Sequence, residues 1–149
     1  HLKAAMIEKG ALLAGEMSGH MFFKHRWYGF DDAIYSGARL LELVAGDDKP
    51  LSAHLATIPE RPSTPEINFS CPDDKKFEVV EQATHYFMDE MGFDAVTIDG
   101  VRIELPDGWG LLRASNTSEN LVMRVEADTE ERVAEIRKMI EDKIVELTD

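Results

Sequence analysis

The chain has 149 residues, 44% hydrophobic and 30% charged, with a formal net charge of -13. That is enough chain to bury one ordinary core or a core plus part of a second, and the composition excludes a disordered polymer. So acidic a balance argues against nucleic acid as a partner, because phosphate backbones are bound mainly through basic surface. No apolar run is long enough to cross a bilayer and no secretory leader pattern is present, so no membrane partner is expected. The single cysteine, Cys71, has no second thiol to pair with and no clustered histidines to suggest zinc, and a cytoplasmic location is expected. The chain opens on His1-Leu2-Lys3 without an initiator methionine and reads as a piece of something longer.

Leu2 to Glu8 reads as a short helix, and Ala11 to Ala14 as an apolar run suited to a buried strand. The next six residues are GEMSGH, in which Glu16, Ser18 and His20 alternate, framed by Gly15 and Gly19. On an extended backbone all three point to one side, where Glu16 can accept from hydroxyls while Ser18 and His20 offer donor and acceptor capacity. A solvated Glu16 and a structural His20 fit the same pattern. Met21-Phe22-Phe23 is a second short apolar run, placing the loop at a strand end or between two strands. Lys24, His25 and Arg26 form a compact basic cluster beside Trp27, Tyr28 and Phe30, suited to an anionic ligand or, better, to a mixed interface. Asp31 and Asp32 can cap a helix whose apolar stripe is Ile34, Ala38, Leu41 and Ala45, with Gly46 as its stop.

Four of the six prolines lie between Asp47 and Pro65. Each removes a donor and fixes its own φ, so residues 47–65 are read as a stiff linker or hinge. It separates residues 1–46, the end of an α/β domain, from residues 66–149. In the second unit Glu66 to Ser70 is strand-like, and Phe77, Val80, Thr84, Phe87 and Met91 follow helical spacing up to Gly92. Val96-Thr97-Ile98 and Val101 to Leu105 flank Asp99-Gly100, a hairpin signal. Trp109 to Arg113 and Leu121 to Val125 complete a count of four strands. Asp128 with Glu131 resembles a capping box for a last helix with the stripe Val133, Ile136, Ile140, Ile144 and Leu147. The expected class is α+β: a mainly antiparallel four-stranded sheet with two helices.

The connection RASNTSEN, Arg113 to Asn120, is rich in donors. A guanidinium matches phosphate in a bidentate way, and hydroxyls plus turn amides can complete an anion site, so Arg113, Ser115, Asn116 and Thr117 are the phosphate candidates. The same residues also suit an ordinary hairpin connection. His54 and His85 read as ordinary helix or surface residues.

Taken together, GEMSGH followed by FF and GFDD, and later GWGLLRASNT, resemble the C-terminal part of the α-D-phosphohexomutases, nearest the bacterial phosphomannomutase/phosphoglucomutase branch. The resemblance spans the end of that family's third domain and all of its fourth. It implies interconversion of hexose 1-phosphate and hexose 6-phosphate through an active-site phosphoserine and a magnesium ion, in a cleft between four domains. It further implies that Glu16 and Ser18 hold sugar hydroxyls with His20 close by, and that Arg113, Ser115, Asn116 and Thr117 bind the phosphate not being transferred. The fourth domain is expected to rotate about a hinge near Pro59 to Pro65. The resemblance also implies, from the branch pattern at the Met17 position, mannose and glucose phosphates as the partners, together with the preceding domains of the same polypeptide.

The family's Ser-His-Asn-Pro nucleophile stretch and Asp-Gly-Asp-x-Asp metal loop are both missing from these residues. Asp31-Asp32, Asp47-Asp48 and Asp73-Asp74 lack the alternating spacing that surrounds one metal. No catalytic residue and no metal ligand is therefore expected here, the Mg2+ belonging to the full-length enzyme, and the chain alone is expected to turn nothing over. Glu119 departs from the family pattern and would oppose a phosphate unless it points away. Two rival readings are a non-catalytic phosphosugar-binding module and a protein-interaction domain working through Lys24 to Phe30.

Overall fold

The computed structural model describes residues 2–148, leaving His1 and Asp149 outside, and divides between Pro59 and Glu60 into two compact units.

In the first unit, α1 (Leu2–Lys9) leads into β1 (Leu13–Gly15), which pairs antiparallel with β2 (Met21–Phe23) in the register Leu13↔Phe23 and Gly15↔Met21. Asp32 caps α2 (Ala33–Ala45), its carboxylate accepting from the Tyr35 N–H at 2.9 Å. Asp31 does not share that role. It bridges to Phe22 instead, beside the hairpin. A short helix, α3 (Leu51–Leu55), follows Pro50, whose fixed φ suits the entry to a first helical turn.

The expected burial of the first strand fails here, and the α2 stripe lies in solvent as well. Leu12 and Leu13 are exposed rather than buried, and so is every member of the stripe Ile34, Ala38, Leu41 and Ala45, Ile34 at 89%. The helical period is right, but α2 packs inward through Tyr35, whose ring meets Phe23 edge-on at 5.5 Å and stacks on Trp27 at 4.3 Å. Periodicity finds an apolar face; it takes a partner to bury it.

The second unit is a five-stranded antiparallel sheet in the order β3-β7-β6-β5-β4, one strand more than expected. The strands are β3 (Ile67–Ser70), β4 (Asp94–Val96), β5 (Val101–Leu105), β6 (Gly108–Ala114) and β7 (Asn120–Ala127). Glu66 to Ser70, read as strand-like, forms β3, which pairs with β7 from Ile67↔Met123 to Ser70↔Asn120 and so continues the sheet on its far edge. The same edge holds the end of the proline-rich segment: Thr64 N–H donates to the Val125 carbonyl at 2.9 Å, and Ala127 N–H to that of Pro62 at 3.0 Å.

Both helices of this unit, α4 (Lys76–His85, continued by a π-helical turn, Tyr86–Glu90) and α5 (Glu130–Thr148), pack on the sheet. Along β6 the even positions Gly108 to Ala114 are buried and the odd ones are not, as period-two alternation requires. At Gly110 a Cβ would come within 2.5 Å of Ile140 Cδ1, so the glycine is what lets α5 lie close to the sheet. Ile136, Ile140 and Ile144 are buried there, at about 1.5–3 kcal/mol each.

Two local details differ from expectation. Thr129, not Asp128, caps α5, its hydroxyl accepting from Arg132 N–H at 3.1 Å, while Asp128 pairs with Arg61. On α4 the buried face is Lys76, Val79, Val80, Ala83 and Phe87, and Phe77 and Met91 are exposed. Ala83, fully buried, marks the close contact, so the helix is rotated away from the face its largest side chains suggest.

Candidate functional site

The first polar loop is the β1–β2 hairpin connection. Its backbone is not extended, as the alternation suggested, but closed into a turn: Glu16 N–H donates to the His20 carbonyl at 2.9 Å and Gly19 N–H to that of Glu16 at 3.0 Å. Gly19, at φ +89, takes the left-handed position the turn requires. The turn still brings all three candidates together. Ser18 Oγ donates to Glu16 Oε2 at 3.3 Å and lies 2.7 Å from His20 Nδ1, which is itself 3.4 Å from Glu16 Oε2. With the Ser18 hydroxyl donating to Glu16, the contact to His20 is made by the Nδ1–H tautomer donating to Ser18 Oγ. Asp31, which the sequence offered only as a cap, closes the other side: its Oδ2 is 3.8 Å from His20 Nε2. All four side chains are exposed and able to meet a ligand.

The basic-aromatic segment after β2 turns back on its own unit. Arg26 pairs with Glu42, which Arg39 also reaches at 3.0 Å. Trp27 Nε1–H donates to Asp32 Oδ2 at 3.2 Å. The hydrogen bond and charge of Arg26 hold the Glu42 carboxyl below its ordinary range. Elsewhere, His54 Nε2 lies 3.6 Å from Asp47 and His85 Nε2 lies 3.4 Å from Asp89.

The second polar loop joins β6 to β7. Arg113 lies on the sheet face opposite Leu112 and Ala114, about one third exposed, with Nη1 3.7 Å from Asp99 Oδ2. That contact depends on the β4–β5 connection, which runs over Thr97 to Gly100 rather than the two expected turn residues. Gly100 sits at φ +78, and a Cβ there would fall 2.3 Å from the Leu112 carbonyl oxygen and 2.7 Å from Arg113 Cα. The connection is thus pressed against the backbone that carries Arg113.

Beyond Arg113 the loop is organised by a buried hydroxyl. Ser115 Oγ accepts from the Thr117 N–H at 3.3 Å, the Ser118 N–H at 3.2 Å and the Ser118 hydroxyl at 2.8 Å. The two turn amides expected to be available are therefore engaged by Ser115, leaving the exposed side chains of Asn116 and Thr117 beside Arg113 as the outward donors. Glu119 is exposed, and its carbonyl accepts from Cys71 N–H at 3.0 Å. Lys76, buried at the start of α4, donates to the Ser118 carbonyl at 3.0 Å and pairs with Asp73. Asp99 and Lys76 were hidden in the sequence, one inside a turn signal and the other inside a helix start.

Residues 1–61 match the model of the phosphoglucomutase/phosphomannomutase alpha/beta/alpha domain III, and residues 66–143 that of the C-terminal domain of the same enzymes. The chain belongs to the phosphoglucomutase/phosphomannomutase family. It is 48% identical over 143 residues to a phosphomannomutase/phosphoglucomutase of Pseudomonas aeruginosa PAO1, covering 96% of this chain and 31% of that protein. It is 50% identical over 137 residues to a Neisseria gonorrhoeae phosphoglucomutase, covering 91% and 30%. The crystal structure of a phosphoglucomutase/phosphomannomutase family protein from Burkholderia thailandensis superposes with a TM-score of 0.77 at 45% identity, covering 95% of this chain and 30% of that one. The chain thus spans about a third of the length of the relatives it matches.

Among the described residues of this family member, no group of three or more His, Cys, Asp or Glu side chains is arranged to hold a metal ion. The donor sets described above do not fit magnesium. No helix among the described residues is long and apolar enough to cross a membrane.

Proposed function

We propose that this chain is the sugar- and phosphate-gripping C-terminal portion of a phosphohexomutase that interconverts hexose 1-phosphate and hexose 6-phosphate, of mannose or glucose, through a phosphoserine enzyme. The observation that carries this reading is the pairing, in one member of the family, of a convergent Glu16–Ser18–His20 turn with a guanidinium-led loop at Arg113.

In this reading Glu16 accepts from sugar hydroxyls, and Ser18 and His20 complete the contact by donating or accepting as the bound face demands. Arg113 meets the distal phosphate in a bidentate way, Asn116 and Thr117 donate beside it, and Ser115 acts by holding the loop in shape. These grips supply positioning, not bond making. A substrate that presents either end to the reacting group needs a hydroxyl grip and a phosphate grip that serve both orientations. The phosphoserine, the magnesium ion and its carboxylates belong to the preceding domains of the longer protein. Those domains also cover the exposed stripe of α2, an apolar face of the kind that marks an interface. A reducing, cytoplasmic setting suits the free, buried Cys71.

The test is a hybrid enzyme in which this chain replaces the matching part of the Pseudomonas aeruginosa relative. The expected result is conversion of mannose 1-phosphate to mannose 6-phosphate, lost in the Arg113→Ala hybrid. A hybrid that folds and binds magnesium yet turns over neither mannose nor glucose phosphate would sink the reading.

A further inference from the structure

We propose that Lys76 is a positioning residue for the anion loop from Arg113 to Ser118: its buried ammonium holds the loop in its binding shape through a charge-assisted hydrogen bond to the Ser118 carbonyl. The inference rests on the phosphate-binding reading of that loop.

Lys76 departs from local preference in two ways, and its burial is possible because it is paired. It is 4% exposed, with its ammonium against the Asp73 carboxylate. It opens α4, where a cation opposes the partial positive charge of the helix N-terminus. It also takes an inward position on the helix while its neighbour Phe77 is left in solvent. Burying an ammonium costs several kcal/mol before pairing, and an apolar side chain in the same place would be the stable choice for a core alone. What the ammonium gains is specific. Nζ donates 3.0 Å to the Ser118 carbonyl, 42 residues away, pairs with Asp73, and lies 5.3 Å from the centre of the Phe77 ring.

The β3–α4 connection, which leads into Lys76, grips the loop as well, through Cys71 N–H on the Glu119 carbonyl at 3.0 Å. Two successive carbonyls of the loop are thereby drawn toward the α4 side. Only one of these contacts carries charge. In a chain of net charge -13, with Glu119 in the loop itself, the ammonium, paired with the solvent-facing Asp73, gives the Ser118 carbonyl a charge-assisted anchor that a neutral side chain cannot. Departures from local rules of this kind gather at functional sites.

The test is an amide NMR titration of the whole chain with inorganic phosphate, comparing wild type, Lys76→Met and Lys76→Arg. The expected outcome is that K76M raises the Kd read at residues 113–118 by about fivefold or more, with the sheet spectrum unchanged, and that K76R, which keeps the charge, returns it to within about twofold. An unchanged Kd in K76M, or K76R binding as weakly as K76M, overturns the proposal while leaving the phosphate reading intact. A wild type that does not respond to phosphate removes the reading and the proposal together. Should K76M lose its spectral dispersion, the wild-type Lys76 ammonium resonance decides: it shifts with the same Kd as the loop amides, and a resonance indifferent to phosphate overturns the proposal.

Discussion

Arg113 and Asp99 face each other across the end of the sheet, guanidinium Nη1 to carboxylate Oδ2 at 3.7 Å. The pair joins the β6–β7 loop to the β4–β5 connection, and it gives Arg113 an internal anion when no ligand is bound. Both side chains are between about a third and a half exposed, so the pair is worth about 1 kcal/mol or less. On the proposed reading, a phosphate bound at Arg113 must displace or share that carboxylate. Asp99→Asn is therefore expected to tighten inorganic phosphate binding by a factor of about five at most, the equivalent of that energy, as measured by titration calorimetry at low salt. Weaker binding would mean that Asp99 holds the guanidinium in place more than it competes for it.

Ser115 is the organising atom of the same loop, accepting three hydrogen bonds at Oγ. Ser115→Ala leaves the Thr117 and Ser118 amides without their partner. It is expected to destabilise the second unit by about 1 kcal/mol and to speed hydrogen exchange at those two amides, with other protected amides little changed. Unchanged exchange there would show that the hydroxyl does not order the loop.

Gly110 tests the packing of α5 on the sheet. Its missing Cβ is the space that Ile140 and Ile136 occupy, at 2.5 and 3.0 Å. Gly110→Ala is expected to cost about 1–3 kcal/mol in urea unfolding, read from Trp109 fluorescence, because a buried core has no room to give. A neutral result would mean that α5 can slide along its stripe.

Acid should loosen the first unit through Glu42. Its carboxyl is held below its ordinary value of 4.5 by the hydrogen bond from Arg26, so the stabilisation is fully present above that value and is lost as pH falls through the depressed one. Both partners are about half exposed, so the effect is modest and weakens with salt. In a Trp109→Phe background, where Trp27 reports alone, Glu42→Gln is expected to flatten the loss of stability below that pH. An identical acid profile in E42Q would remove the pair from the account.

The α5 stripe was legible because a 3.6-residue period buried against a sheet leaves a direct trace in Val133, Ile136, Ile140 and Ile144, all of them buried. The two loops were legible as polar punctuation between apolar runs. The strand at Glu66 to Ser70 was legible too, but its pairing with β7 was not, because the two lie some fifty residues apart and strand pairing carries no local signal. The rotation of α4 was hidden for a related reason: Ala83 marks the contact, and a small residue scores poorly beside Phe77 and Met91. Asp31, Asp99 and Lys76 each owe their place to a partner on another element, Asp99 meeting Arg113 fourteen residues on. A period reports which side of an element is apolar; it says nothing of which charges will meet.

The most direct measurement is an amide NMR titration of the chain with glucose 1-phosphate and mannose 1-phosphate, with inorganic phosphate as the control. The account expects saturable shifts at residues 113–118 with all three, extending to Glu16, Ser18 and His20 only with the sugar phosphates. A well-dispersed spectrum that stays unmoved up to roughly tens of millimolar ligand, or that moves only at residues outside the two loops, would contradict it.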